Sequence, residues 1–111
     1  ADRKAVNLLI DWDAYYENVL LENNTSRKDI PAKSWEARRD AFQAKILKQL
    51  FSPNYQNFIK SFKVKAYHIR IKNNNIQVVA LVKKGAYRGS ITFSLKRTGG
   101  IYRVSFINDR G

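Results

Sequence analysis

At 111 residues the chain is long enough for one domain spanning 1–111 and too short for two comfortable ones. Hydrophobic residues make up 44% and aromatics 13%, so a packed core is within reach and a disordered chain is excluded. Lys and Arg number 21 against nine Asp and Glu, a formal net charge of +12. The excess is uneven: residues 1–40 hold seven basic and eight acidic side chains, whereas residues 41–111 hold fourteen basic and one acidic, Asp109.

That asymmetry removes several chemistries. No carboxylate side chain lies between Asp40 and Asp109, so paired-carboxylate catalysis and carboxylate-bound Ca²⁺ or Mg²⁺ are not expected there. The chain has no Cys, and one His (His68) cannot build a multi-His metal site. No cofactor and no metal are therefore expected. No run of about 18 apolar residues is present, so no transmembrane helix is expected inside the chain. It begins with Ala and contains no Met, which suggests excision from a membrane-anchored or signal-bearing precursor.

In chain order, residues 4–22 read as one helix. Val6, Leu9, Ile10, Asp13, Tyr16 and Leu20 recur at helical spacing, and Trp12, Tyr15 and Val19 widen the stripe. Residues 23–33 are polar, end in Ile30-Pro31 and read as a loop. Ser34 reads as the N-cap of a second helix whose stripe is Trp35, Phe42, Ile46 and Leu50. Ser52-Pro53 restarts the chain as a short helix over 53–60, with Pro at its first position.

From Phe62 the period becomes two. Four strands are predicted, at about 62–72, 76–83, 87–97 and 100–107, joined by turns at Asn73-Asn74-Asn75, Lys83-Lys84-Gly85-Ala86 and Arg97-Thr98-Gly99-Gly100. Tyr87, Gly89, Ile91, Phe93 and Leu95 alternate with Arg88, Ser90, Thr92, Ser94 and Lys96. Tyr102, Val104 and Phe106 alternate with Ile101, Arg103 and Ser105. In the first strand the parity of Val64 and Ala66 differs from that of Tyr67, Ile69 and Ile71, which predicts a bulge or bend near Ala66. The fold class is α+β: helices over about 4–60, packed on the apolar face of a bent antiparallel four-stranded sheet over about 62–107.

This order resembles the cystatin-like superfold of nuclear-transport-factor-type and polyketide-cyclase-type proteins, in which helices fill the cone of a bent sheet. The resemblance rests on Trp12-Asp13-Ala14-Tyr15-Tyr16, Phe51-Ser52-Pro53-Asn54-Tyr55 and Gly99-Gly100-Ile101-Tyr102-Arg103-Val104. Within that superfold the chain looks most like the soluble domain of the inner-membrane core component of type IV secretion and conjugation systems. That likeness implies a non-enzymatic scaffold of the cell envelope on its periplasmic or extracytoplasmic face. The partners it implies are a second copy or other machinery subunits. Periplasmic lipid carriers are the neighbouring branch.

Two groups of residues are candidates for a site. Lys63, Lys65, Arg70, Lys72, Lys83, Lys84, Arg88, Lys96, Arg97 and Arg103 lie on or between strands and form a basic face. Such a face suits an anionic partner: an acidic protein, a nucleic acid backbone or lipid headgroups. The plain reading of the same residues is a solvated surface. Asp13, Tyr16 and His68 are the pocket candidates. The resemblance implies that an Asp and a His in the cone act as base and acid in catalytic members, which would make the chain a small-ligand carrier or a lyase-like enzyme. The plain reading is a structural Asp bonded to a neighbouring side chain, and it is preferred. The leading expectation is an interaction scaffold, with a polyanion-binding module as the first alternative.

Overall fold

A computed structural model describes residues 3–61, 63–72 and 75–110, without the side chains of Ile59, Lys72, Asp109 and Arg110. Helices come first: α1 (Arg3–Leu9), α2 (Trp12–Glu22), α3 (Ala32–Leu50) and α4 (Pro53–Lys60). The strands β1 (Lys63–Lys72), β2 (Asn75–Lys84), β3 (Tyr87–Thr98) and β4 (Ile101–Arg110) follow as an antiparallel meander in spatial order β1-β2-β3-β4. The domain is α+β, with every helix N-terminal to the sheet.

The expected helix over 4–22 is two helices. The Asp11 carboxylate accepts from Ala14 N at 3.1 Å and caps α2, so the chain leaves helical geometry at Ile10-Asp11. There Ile10 bridges to Val104, and Asp11 N donates to Val104 O at 2.8 Å. Helix α3 begins at Ala32, not after Ser34. Ser34 N donates to Pro31 O at 2.8 Å, so Ser34 lies inside the first turn. The polar loop also contains a short 3₁₀ turn at Arg27–Asp29, closed by a reciprocal cap between Ser26 and Asp29. Helix α4 starts where Ser52-Pro53 placed it, with Ser52 Oγ accepting from Tyr55 N.

Pairing across the sheet defines its two faces. Ile69, Val78, Phe93 and Ile107 stand in one row, and Ile71, Ile76, Leu95 and Val104 in another, on the apolar face. His68, Val79, Thr92 and Asn108 stand opposite them, on the polar face. The register shifts between Val64 and Ala66, as the parity change predicted, and Val64 thereby joins the apolar face. A second shift, which the alternation did not reveal, lies opposite Ser94 and Leu95. It moves Phe106 opposite Ser94 on the polar face while Val104 stays opposite Leu95. The extra residue is Ser105, which is buried with its hydroxyl donating to Ser94 O at 3.1 Å. The turns at Gly85, Gly99 and Gly100 have φ of +58°, +59° and +78°, values that favour glycine. The Asn73-Asn74-Asn75 turn lies mostly outside the described residues.

The core sits at the β4 end. Ile10, Trp12 and Tyr15 are buried there against Phe42, Ile46, Val104, Phe106 and Ile107. Phe42 contacts the rings of Trp12, Tyr15 and Tyr16, with centroids 5.0 to 6.4 Å apart. Helix α2 lies along β4, and Asn18 Nδ2 donates to Ser105 O at 3.1 Å. A sheet edge exposes a row of unpaired backbone groups, and α2 with its cap Asp11 covers that row on β4 at Val104 and Ser105.

The helices do not cover the whole apolar face. On β1, Tyr67, Ile69 and Ile71 are 66%, 69% and 75% exposed. The expectation of a helical layer spread over the sheet is therefore corrected. Helices α1, α2 and α3 gather on the β4 side, and the β1 side of the apolar face is left open.

Candidate functional site

The register sorts the basic residues expected on the polar face. Lys63, Lys83 and Arg88 form one row directly across β1, β2 and β3. Lys96 and Arg103 stand opposite each other in a second row, which Lys72 enters by register although its side chain lies outside the described residues. Eight strand steps along β2, from Asn75 to Lys83, separate the two rows, about 26 Å at strand rise. Arg70 lies between them beside Gln77, and Lys65 occupies the bulge of β1. Like charges directly opposite each other destabilise a sheet.

Two of the ten expected cations are elsewhere. Lys84 lies over the Phe58 ring of α4, its Nζ 5.5 Å from the centroid. Arg97 lies over the Tyr102 ring at 5.9 Å. Both are at the ends of the apolar face, so the basic set forms two rows and several outliers rather than one patch.

The acids of the helical segment answer its own cations. Arg39 reaches Asp13 at 3.1 Å, Asp40 at 3.0 Å and Glu36 at 3.9 Å, and Arg27 reaches Glu17 at 3.9 Å. Lys83→Gln is expected to raise the melting temperature by about 2–4 °C at low salt, because it removes the middle charge of a row. The gain shrinks towards zero in 0.5 M NaCl, where the Debye length falls to about 4 Å. A melt series in NaCl checks this, and an unchanged or lower melting point at low salt contradicts it.

Asp13, Tyr16 and His68 are not brought together. Asp13 Oδ1 accepts from Trp35 Nε1 at 2.9 Å and from Arg39 at 3.1 Å. Burial pushes its carboxyl up, but the Trp35 and Arg39 hydrogen bonds and the charges of Arg39 and Arg27 outweigh that and hold it below the ordinary carboxylate value. A depressed value keeps the group ionised, opposite to what a neutral-pH base needs. Tyr16 packs between Trp35 and Phe42, at 5.1 and 5.0 Å. His68 is exposed on the polar face. Among the described residues, no three His, Cys, Asp or Glu side chains gather as a metal site.

An apolar cleft of about 420 Å³ does exist, between α4 and the apolar face, bordered by Tyr15, Tyr55, Phe58, Tyr67, Val82 and Phe93. None of the three expected pocket residues lines it. A more polar cleft of about 680 Å³ lies on the other side of α2, bordered by Asn18, Glu22, Gln77, Ser94 and Lys96.

The feature that sequence reasoning missed is the bare side of β1. The alternation of its apolar residues implies a covered face, and nothing in their own spacing reports whether a helix reaches them. Among the described residues no helix is long and apolar enough to cross a membrane. No protein-family model, curated protein or solved structure matches the chain.

Proposed function

We propose that the chain is a non-catalytic interaction module, a scaffold domain within a larger assembly, and that it works through the open β1 side of its sheet. The observation that carries this is the exposed apolar row Tyr67, Ile69 and Ile71 on the outermost strand. Contiguous exposed apolar patches on folded domains mark contact surfaces when they are large. The finer form of the proposal places the assembly in the cell envelope, as the likeness to a type IV secretion or conjugation core component implies. The helices-then-meander order supports it. A photo-crosslinking residue at Ile69 of the full-length protein, in its source cells, is expected to give adducts of discrete size that are absent from the same probe at Lys33. Adducts equal at both positions, or none at Ile69, overturn the module reading. Fractionation of the parent protein with soluble cytosol overturns the envelope form.

A second reading is favoured by the opposed cations Lys63, Lys83 and Arg88. A polyanion laid across that row would relieve the repulsion that the sheet otherwise bears. Its sign is binding to duplex DNA that falls steeply with salt and weakens further in Lys83→Gln. Salt-independent binding, or no mobility shift at low salt, removes it.

A further inference from the structure

Strand β1 is an outer strand of the sheet, and among the described residues no strand pairs with its far edge. The other outer strand, β4, has its edge covered by α2 through Asp11 and Asn18. From Ala66 to Lys72 the pairing of β1 with β2 runs without a shift, and the segment contains no Pro. Six strand steps give an open edge about 20 Å long. Every second residue there presents its N–H and C=O outward, a template for another strand.

The two faces flanking the edge differ in chemistry. Tyr67, Ile69 and Ile71 stand exposed on one side. His68 and Arg70 stand exposed on the other, and Lys63 and Lys65 are exposed at the start of the strand. A second copy of the chain is a poor occupant. Pairing β1 with β1 would set a strand carrying Lys63, Lys65 and Arg70 against the same cations, with no carboxylate anywhere between Asp40 and Asp109 to offset them. An added strand with apolar residues on one side and carboxylates on the other satisfies both faces at once.

Resting on the interaction-module reading, we propose that β1 binds an extended acidic segment of a partner protein by strand addition, with Val- or Ile-type residues over Tyr67, Ile69 and Ile71 and Asp or Glu beside Arg70. The backbone ladder supplies attachment and the alternation supplies selectivity.

The test uses the folded chain and synthetic nine-residue peptides. The probe alternates Val or Ile with Glu. Its counterparts carry Lys for Glu, a scrambled order that blocks acids and apolars apart, or N-methyl groups on alternate backbone amides. The Glu peptide is expected to bind at least about tenfold more tightly than each counterpart, and to protect the amides of residues 66–72 from hydrogen exchange. Equal binding of the scrambled or N-methylated peptide overturns strand addition in favour of general charge attraction. Protection that appears with protein concentration alone overturns it in favour of a second copy. Position-specific crosslinks at Ile69 without peptide-induced protection leave the module reading standing and remove strand addition. Absence of both removes the two together.

Discussion

Trp35→Ala is expected to lower the melting temperature by at least about 12 °C, since truncating a buried Trp costs about 3–5 kcal/mol and each kcal/mol moves a domain of this size by about 4–8 °C. Three interactions meet at this side chain. The indole N–H donates to Asp13 at 2.9 Å, the Arg27 guanidinium lies 4.2 Å above the ring, and Tyr16 packs at 5.1 Å. Trp35 is buried, so the vacated volume is not simply refilled by solvent. Trp35→Phe keeps an aromatic ring and leaves Arg39 to hold Asp13, so it is expected to lose about 1–2 kcal/mol. A thermal melt reads both, and a Trp35→Ala shift below about 4 °C would show that the Asp13–Trp35 junction does little for stability.

The same junction sets an acid limit. Asp13 has a lowered folded-state value, so its stabilising contribution is present above the unfolded value near 3.9 and is lost as pH falls through the folded value. Asp13→Asn is therefore expected to be less stable than the parent at pH 7, with the difference shrinking as the pH falls below about 4. Parallel curves from pH 7 to pH 3 would contradict the ion-pair account.

Ile10→Ala is expected to cost about 2–5 kcal/mol, and Ile69→Ala less than about 0.5 kcal/mol, although both remove the same atoms. Ile10 is buried in the helix break and seated against β4, whereas Ile69 stands in solvent on β1. Ile10→Ala also loosens the segment that brings Asp11 N to Val104 O. Early hydrogen exchange at Asp11 and concentration-dependent aggregation through the freed β4 edge are the expected accompaniments. Equal urea midpoints for the two variants would refute the contrast between a sealed and an open edge.

Punctuation and strict alternation are legible in the amino-acid order itself. Ser52-Pro53 marks α4, and Tyr87 to Lys96 assign both faces of β3. The break at Ile10-Asp11 is hidden because the apolar period runs through it unbroken. Its one local signal is an Asp three residues before Ala14, a spacing common inside helices as well. The bulge at Ser105 is hidden for a related reason: a small polar residue in a strand looks the same whether or not it carries the ladder. The ten cations are legible as a set. Their sorting into the row of Lys63, Lys83 and Arg88, the pair Lys96 and Arg103, and the ring-stacked Lys84 and Arg97 depends on register and turn length, which a single sequence does not state. Periodicity also says which side of β1 is apolar, not whether a helix reaches it.

Helix α2 leaves the ribosome well before the strand it packs against. The bond from Asn18 to Ser105 joins residues 87 apart in sequence. Loop closure over most of the chain must precede it, and such non-local contacts slow folding. Until β4 is complete, Trp12 and Tyr15 lack Val104, Phe106 and Ile107, the strand residues they pack against in the core. Assembly of the β1, β2 and β3 meander, which needs only neighbouring segments, can run ahead of that closure. The nearly neutral helical segment therefore waits, fully synthesised, for a strongly cationic sheet to finish behind it.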